Sequence, residues 1–138
     1  MKIETETVIT VPFYDADSMN VVWHGNYVKY LEDARCGLLN RLKYNYNDMK
    51  NSGYAWPVVT MNIKYIKPCV FMQKIRVKAI LAEYENRLRI KYTITDAESG
   101  ELLSKAETIQ MCIEISSMET CFVSPKILRD KVEGYFNG

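Results

Sequence analysis

The feature of this sequence that most limits its fold is a change, along the chain, in the spacing at which apolar residues recur. Over residues 26–43 apolar side chains recur at spacings of three and four, which predicts one amphipathic helix. Over residues 59–115 the period is two, and turn residues divide this half into four strands, which begin near Val59, Ile75, Leu88 and Leu103. Residues 5–11 add a strand before the helix. The order predicts an α+β fold in which one long helix packs on an antiparallel sheet.

Local signals give the remaining expectations for secondary structure. Asn26 has the side chain of an N-cap for the long helix. Residues 44–53 are polar and rich in Asn, which indicates a surface connection. The last strand is predicted to run unbroken from residue 103 to residue 115. Ser124 followed by Pro125 predicts a short terminal helix that ends by Gly134.

Composition bounds the class of protein. A length of 138 residues suits one domain over 1–138, and a net charge of +1 gives no field that would attract nucleic acid or an anionic membrane. The first residues are acidic where a signal peptide is apolar, and no apolar run is long enough for a membrane span. The cysteines form no close pair in the sequence and are accompanied by a single histidine, which argues against a zinc site and against disulfides: Cys36, Cys69, Cys112 and Cys121. We expect a cytoplasmic protein that uses no metal or other cofactor.

The segment before the long helix carries the chemistry. Asp15 and Asp17 follow the first strand, and His24-Gly25-Asn26 opens the helix. The first backbone N–H groups of a helix have no partner within it and attract negative charge. An acidic group and a site for a developing oxyanion would therefore be neighbours. Taken alone, the aspartate pair is equally typical of a turn in which short carboxylates accept local N–H groups.

Together these residues resemble the hotdog-fold acyl-CoA thioesterases of the 4-hydroxybenzoyl-CoA thioesterase type. The resemblance rests on an ordered set of matches: Asp15-Ala16-Asp17, Val21-Val22, His24, Asn26-Tyr27 and the helix with Glu32 and Arg35. It implies a single hotdog domain, in which a curled antiparallel sheet of five strands wraps a long central helix. It also implies that Asp17 is the catalytic carboxylate, and that the backbone N–H of His24 or Gly25 polarises the thioester carbonyl. The chain departs from the family at Asn20, where glycine is usual, and at Gln73, where an acid is common.

Two routes remain open for Asp17. It acts as a general base towards water, which we favour, or it attacks the carbonyl itself and forms a mixed anhydride. We expect burial among apolar neighbours to raise the pKa of its carboxyl group: Phe13, Val21, Val22 and Trp23. For His24 we expect the backbone to matter more than the imidazole. Glu32 is the reserve carboxylate, although Arg35 three residues later predicts a surface ion pair.

Several residues are candidates for substrate binding. Basic side chains on one phase of two adjacent strands predict a patch for the phosphates of CoA, with an ordinary solvated sheet face as the alternative: Arg76, Lys78, Arg87, Arg89 and Lys91. Tyr54, Trp56 and Val58 are placed to line an acyl pocket, unless they belong to the core. Trp23 and Tyr27, which flank the His24 turn, are also assigned to the substrate site.

The function expected from this sequence is hydrolysis of acyl-CoA by a homodimer or homotetramer, with each site built where the Asp17 turn of one copy meets strands of another. The alternatives are a non-catalytic hotdog module that binds acyl-CoA or acyl carrier protein, and a thioesterase acting on acyl carrier protein. A hotdog dehydratase is disfavoured because its histidine-proline motif is absent. The acyl class stays open at this point, and so does the choice between dimer and tetramer.

Overall fold

The computed structural model describes residues 2–137. Three helices are present in that range, α1 (Tyr27–Arg41), α2 (Tyr46–Asn51) and α3 (Lys126–Asn137). Short 3-10 turns at Phe13–Asp15 and His24–Asn26 precede α1. The strands are β1 (Glu4–Thr10), β2 (Tyr54–Ala55), β3 (Val58–Tyr65), β4 (Lys74–Glu83), β5 (Leu88–Asp96), β6 (Leu102–Gln110), β7 (Cys112–Glu114) and β8 (Glu119–Cys121).

Five strands form the main sheet in the order β1-β4-β5-β6-β3, and every neighbouring pair is antiparallel. Helix α1 packs on one face of this sheet, mainly against β1 and β4. The predicted α+β fold, with one long helix on a five-stranded antiparallel sheet, is confirmed. β1 and β3 are the two edges of the sheet, and β3 is the edge whose side chains are mostly exposed.

The period of each element explains which face is buried. On α1, Leu31, Ala34 and Leu38 are fully buried and lie three to four residues apart, so one side of the helix covers the sheet. On β4 and β5 every second residue is buried, including Val77 and Ile90. Burying one such aliphatic side chain contributes about 1.5–3 kcal/mol. The two periodic patterns thus meet in one apolar layer between helix and sheet.

Residues 44–53 do not form a plain connection, and that prediction was wrong. They contain α2, which begins at a capping box in which Asn45 and Asp48 each accept the other's backbone N–H, at 2.9 and 3.1 Å. The Asn-rich composition that suggested a loop therefore supplies the start of a helix. Tyr44 and Met49 from this stretch are buried in the core.

The last strand is not continuous as predicted. β6 ends at Gln110, and Met111 donates its N–H to the carbonyl of Pro57 at 3.2 Å. The chain then enters a second, three-stranded sheet in the order β2-β7-β8. Period-two patterning cannot show such a break, because both pieces alternate in the same way. The terminal helix is also longer than predicted, since α3 continues to Asn137.

The second sheet brings together two cysteines that form no close pair in the sequence. Cys112 on β7 lies directly opposite Cys121 on β8. Both are free thiols, and burial together with the adjacent Cys121 thiol raises the pKa of Cys112 to about 12. In the described part of the chain, no helix has the length and apolar character needed to cross a membrane.

Candidate active site

The Asp17 turn is a short loop closed by backbone hydrogen bonds. Asp17 donates its N–H to the carbonyl of Val21 at 2.8 Å, and Ala16 pairs with Val22 as an isolated antiparallel bridge. Asn20 adopts a φ of 65°, the left-handed conformation in which Asn is one of the tolerated residues. This left-handed conformation explains why Asn can stand where the resemblance predicts glycine.

Asp15 is the anchored member of the aspartate pair. Its carboxylate is buried and accepts hydrogen bonds from Lys29 Nζ at 2.5 Å and from Tyr30 Oη at 2.8 Å. Its carbonyl accepts from the Asn26 side chain at 2.9 Å. Asn26 occupies the N-cap position that we predicted, but its side chain makes no capping hydrogen bond, because its amide holds the Asp15 loop instead. Asp15 fixes the loop to the first turn of α1.

Asp17 is the exposed member of the pair. Its Oδ1 accepts the N–H of Met19 at 2.8 Å, and within residues 2–137 its Oδ2 accepts no hydrogen bond. The predicted burial among apolar neighbours is wrong for the single chain, since Phe13 and Trp23 are 72% and 53% exposed. The result is one restrained and one free carboxylate oxygen on a turn that faces water.

The turn before α1 offers unpaired backbone donors. Within the described residues, neither the His24 nor the Gly25 N–H donates to a protein acceptor, whereas the N–H of Asn26 donates to the carbonyl of Trp23 at 2.9 Å. A Cβ at Gly25 would lie 2.1 Å from Cζ3 of Trp23, so a larger residue at this position requires the Trp23 ring to move. The carbonyl of His24 accepts from Tyr65 Oη at 3.1 Å, which ties this turn to the end of β3.

Tyr27 lies in the core beneath this turn. It is buried, and its hydroxyl accepts the N–H of Cys69 at 3.0 Å. Burial raises the pKa of Tyr27 above its ordinary value. Cys69 in turn accepts the N–H of Val22 at 2.8 Å, so Tyr27 holds two loops in place. The assignment of Tyr27 to the substrate site stays a prediction. Because the side chain is buried, it would act on substrate by positioning these two loops.

The predicted ion pair between Arg35 and Glu32 is confirmed, but only Glu32 lies at the surface, because Arg35 is buried. One guanidinium nitrogen donates to Glu32 at 2.7 Å, and Nε donates to Tyr46 Oη at 2.8 Å. Tyr46 also meets the side-chain amide of Gln110 at 3.5 Å. This network links α1, α2 and β6, and Tyr46 is a member that the sequence did not suggest because α2 itself was not predicted.

The basic residues that were predicted to bind the phosphates of CoA form ion pairs with neighbouring carboxylates. Arg89 pairs with Glu107 at 2.9 Å and Arg87 pairs with Glu83 at 3.1 Å. Hydrogen bonding to Arg89 lowers the pKa of Glu107. Arg76 and Lys78 pair with carboxylates of β1 at 3.3 and 3.4 Å. The face is thus a mixed-charge surface in the free chain, and phosphate binding by Arg87 and Arg89 stays a prediction.

The residues assigned to the acyl pocket lie at the far end of β3. Trp56 is buried and Val58 is 37% exposed. Trp56 borders a cavity of about 450 Å³ between α2 and the second sheet, which we call the hairpin cavity. Its lining is formed by Tyr46, Met49, Lys50, Tyr54, Ala55, Trp56, Pro57, Ile113, Ile115 and Met118. Asp17, His24 and Gly25 thus lie in one short segment before α1, whereas Trp56 and Val58 lie at the opposite end of β3 from Tyr65, which contacts the His24 turn.

Comparisons with known proteins agree with this architecture. Residues 11–130 match the family described as "Thioesterase-like superfamily". "Putative acyl-CoA thioesterase YneP" of Bacillus subtilis is 30% identical over 80% of this chain and 80% of its own length. "Long-chain acyl-CoA thioesterase FadM" of Escherichia coli is 27% identical over 93% of this chain and 96% of its own. A DHNA-CoA thioesterase structure from Staphylococcus aureus superimposes with a TM-score of 0.81 at 28% identity, covering 97% of this chain and 93% of that one.

Proposed function

Because the chain belongs to the Thioesterase-like superfamily, we propose that it hydrolyses acyl-CoA thioesters to a free carboxylic acid and CoA at the Asp17 turn. The observation that carries this proposal is the free Oδ2 of Asp17 on a loop that leads directly into the turn with the unpaired N–H groups of His24 and Gly25. A thioester needs a base or nucleophile on one side and hydrogen-bond donors for the oxyanion on the other. The turn supplies both, and no further nucleophile is required.

In the route that we favour, Asp17 is the general base. Its carboxylate takes a proton from water, the resulting hydroxide attacks the thioester carbon, and the negative charge moves to the carbonyl oxygen. The N–H of His24 or Gly25 donates to that oxyanion. When the intermediate collapses, the C–S bond breaks and the CoA thiolate takes the proton back from Asp17. In the nucleophilic route Asp17 itself attacks, CoA leaves, and water then cleaves a mixed anhydride.

A second copy of the chain is part of this proposal. Asp17 and the nearby side chains of Phe13 and Trp23 face water in the single chain. Covering these side chains would exclude water from the carboxylate, and a desolvated carboxylate is a stronger base. β3 offers an unpaired edge with apolar residues, whereas the other edge, β1, carries Glu4 and Glu6. Charged edges resist pairing and apolar ones favour it.

Thiol release from a panel of acyl-CoAs tests the function, with wild type compared with Asp17→Asn. The substitution keeps the shape but removes the basic oxygen, so we expect turnover to fall by about 10²-fold or more. Asp33→Asn is the matched control, because Asp33 is exposed on α1 and makes no side-chain hydrogen bond or ion pair within the described residues. Its activity should equal that of wild type.

Three other outcomes would change the assignment. A loss of less than about threefold in folded Asp17→Asn would refute the role of Asp17 and move attention to Glu32. Binding of CoA by wild type without hydrolysis of any acyl-CoA would favour the non-catalytic module or an acyl carrier protein substrate. A monomer in sedimentation equilibrium of the active protein would refute the shared site.

A further inference from the structure

The hairpin formed by β7 and β8 carries two cysteines that face each other. Cys112 and Cys121 are directly opposite in the antiparallel register, so their side chains lie on the same face of the hairpin. Opposite residues in such a pair have Cα atoms about 4.5–5.5 Å apart, which falls within the range of about 4.4–6.8 Å that a disulfide spans. The two side chains can therefore be joined without a change in the register of the strands.

The two thiols differ in their access to solvent. Cys112 is fully buried and belongs to the core, whereas Cys121 is half-buried on the edge strand β8. Burial, and then a hydrogen bond with the Cys121 thiol, raise the pKa of Cys112 above its ordinary value. A reagent in solution therefore meets Cys121 first, and Cys112 reacts only through its neighbour.

The outer strand of this hairpin is weakly held. β8 has three residues, and within residues 2–137 it pairs only with β7. Glu119 and Thr120 on this strand are exposed, and the residues that flank it, Met118 and Phe122, are 72% and 76% exposed. Segments with few buried apolar side chains open locally at a low free energy. A covalent link between β7 and β8 would therefore act on a segment that otherwise opens readily.

We propose that Cys112 and Cys121 form a reversible thiol–disulfide site that reacts with small-molecule disulfides, such as oxidised glutathione, and locks the hairpin of β7 and β8. The proposal does not depend on the hydrolysis of thioesters. β7 and the turn after it supply Ile113, Ile115 and Met118 to the wall of the hairpin cavity, so the disulfide would also fix that wall.

The reaction consists of two thiol–disulfide exchanges. The Cys121 thiol loses its proton to solvent, and the thiolate attacks one sulfur of oxidised glutathione, so that this S–S bond breaks and one glutathione leaves as a thiolate. The Cys112 thiol then loses its proton and attacks the Cys121 sulfur, which forms the protein disulfide and releases the second glutathione. The two leaving thiolates take up the two protons. The protein is oxidised by two electrons, and oxidised glutathione is reduced by the same two.

The raised pKa of Cys112 affects both the equilibrium and the rate. Disulfides that are easily reduced belong to proteins whose dithiol form is stabilised, commonly as a thiolate of low pKa. Burial disfavours the Cys112 thiolate, so the dithiol gains no such advantage over the disulfide. Because only the thiolate attacks, the second exchange should be the slower one. The mixed disulfide at Cys121 should therefore accumulate before the protein disulfide forms.

Mass spectrometry with peptide mapping, on the whole protein incubated with oxidised glutathione, tests the site. Wild type should pass through a glutathione adduct at Cys121 and end with a disulfide between Cys112 and Cys121, which dithiothreitol reverses. In Cys112→Ala the adduct should persist, and in Cys121→Ser the buried Cys112 should stay reduced. Cys36→Ser is the matched control, because Cys36 is also half-buried but lies on α1. This variant should form the disulfide as wild type does.

Unfolding and hydrogen exchange test the effect on the hairpin. The disulfide closes a loop over residues 112–121, so the Tm of the oxidised protein should exceed that of the reduced protein by about 5–10 °C. Amide exchange in residues 112–121 should slow by at least about tenfold on oxidation. The same treatment should leave the Tm and the exchange of Cys121→Ser unchanged.

Each step has an outcome that would overturn it. Cys112 and Cys121 that both stay free in excess oxidised glutathione would overturn the site. A wild-type adduct at Cys121 that never resolves would overturn the role of Cys112. If Cys112→Ala does not fold, the time course of wild type decides the order, and a disulfide without an earlier Cys121 adduct would overturn it. A disulfide that leaves Tm and hydrogen exchange unchanged would overturn the locking of the hairpin.

Discussion

Removing one hydroxyl beneath the Asp17 turn should destabilise the protein measurably. Tyr30 is buried and donates to Oδ2 of Asp15 at 2.8 Å, while Lys29 holds the other oxygen. In Tyr30→Phe the ring stays in place but Oδ2 of a buried carboxylate loses its partner. A hydrogen bond to a charged group is worth about 1.5–3 kcal/mol, so we expect a loss of about 2 kcal/mol in the free energy of unfolding.

Thermal and urea unfolding, followed by circular dichroism, measure this loss. For a domain of this size, 2 kcal/mol corresponds to a fall in Tm of about 6–8 °C. Tyr14→Phe is the matched control, because Tyr14 is 72% exposed and its hydroxyl makes no hydrogen bond within residues 2–137. Its Tm should change by less than about 1 °C. A loss below about 0.5 kcal/mol for Tyr30→Phe would show that water replaces the hydroxyl and that Asp15 is not held as described.

The pH dependence of the same pair supplies a second check. Burial, and then the hydrogen bond to Asp15, raise the pKa of Tyr30 above its ordinary value near 10. The folded protein therefore holds this proton more tightly than the unfolded chain. The stabilisation is complete below pH 10 and is lost as the pH rises beyond that value. The difference in stability between wild type and Tyr30→Phe should accordingly narrow at strongly alkaline pH, and a difference that widens there would contradict the argument.

Two further substitutions probe the loops around the site. Gly25→Ala places a methyl group against the Trp23 ring, so we expect a lower Tm and a shift in tryptophan fluorescence. In the double variant Gly25→Ala with Trp23→Ala the clash is removed, so its Tm should equal that of Trp23→Ala alone. A double variant that is less stable than Trp23→Ala would refute the clash. Hydrogen bonds from Gln73, and then from the N–H groups of Ser99 and Glu98, lower the pKa of Asp96 to about 2. The unfolded value is near 3.9, so the stabilisation is present above pH 4 and is lost as the pH falls towards 2. The Tm difference between wild type and Asp96→Asn should therefore shrink over that interval, and a constant difference would contradict the assignment.

The sequence predicted the main architecture because the signals for it are local. The spacing of Leu31, Ala34 and Leu38 identifies α1, and alternation identifies the strands of the main sheet, since each pattern reports burial of one face. The predicted strand starts differ from the observed ones by at most one residue. The resemblance through Asp15, Asp17 and His24 likewise lies in one contiguous segment.

The predictions that were wrong share one physical cause, because each of these features depends on contacts between segments that are distant in the sequence. The break after Gln110 lies where Met111 donates its N–H to the carbonyl of Pro57, which belongs to the segment leading into the neighbouring strand β3. The burial of Arg35 depends on Tyr46, which lies on a helix that the polar composition of its segment concealed. Charge spacing predicted that Arg35 and Glu32 would pair, but the depth of the pair is set by α2. A sequence pattern shows which face of a helix or strand is buried, but it does not show which other segment packs against that face.

The same reasoning applies to Asp17 and leads to a stronger conclusion. Asp15, two residues earlier, is buried and doubly bonded within its own chain, while Asp17 is held by a single backbone N–H and left open. The local hydrogen bonds of the fold therefore position the turn and leave one carboxylate oxygen of Asp17 open, so any cover for it must come from outside the chain. If a second copy supplies that cover through β3, the proposed activity becomes a property of the dimer. Dilution below the dimer dissociation constant should then abolish hydrolysis while the fold of each chain persists.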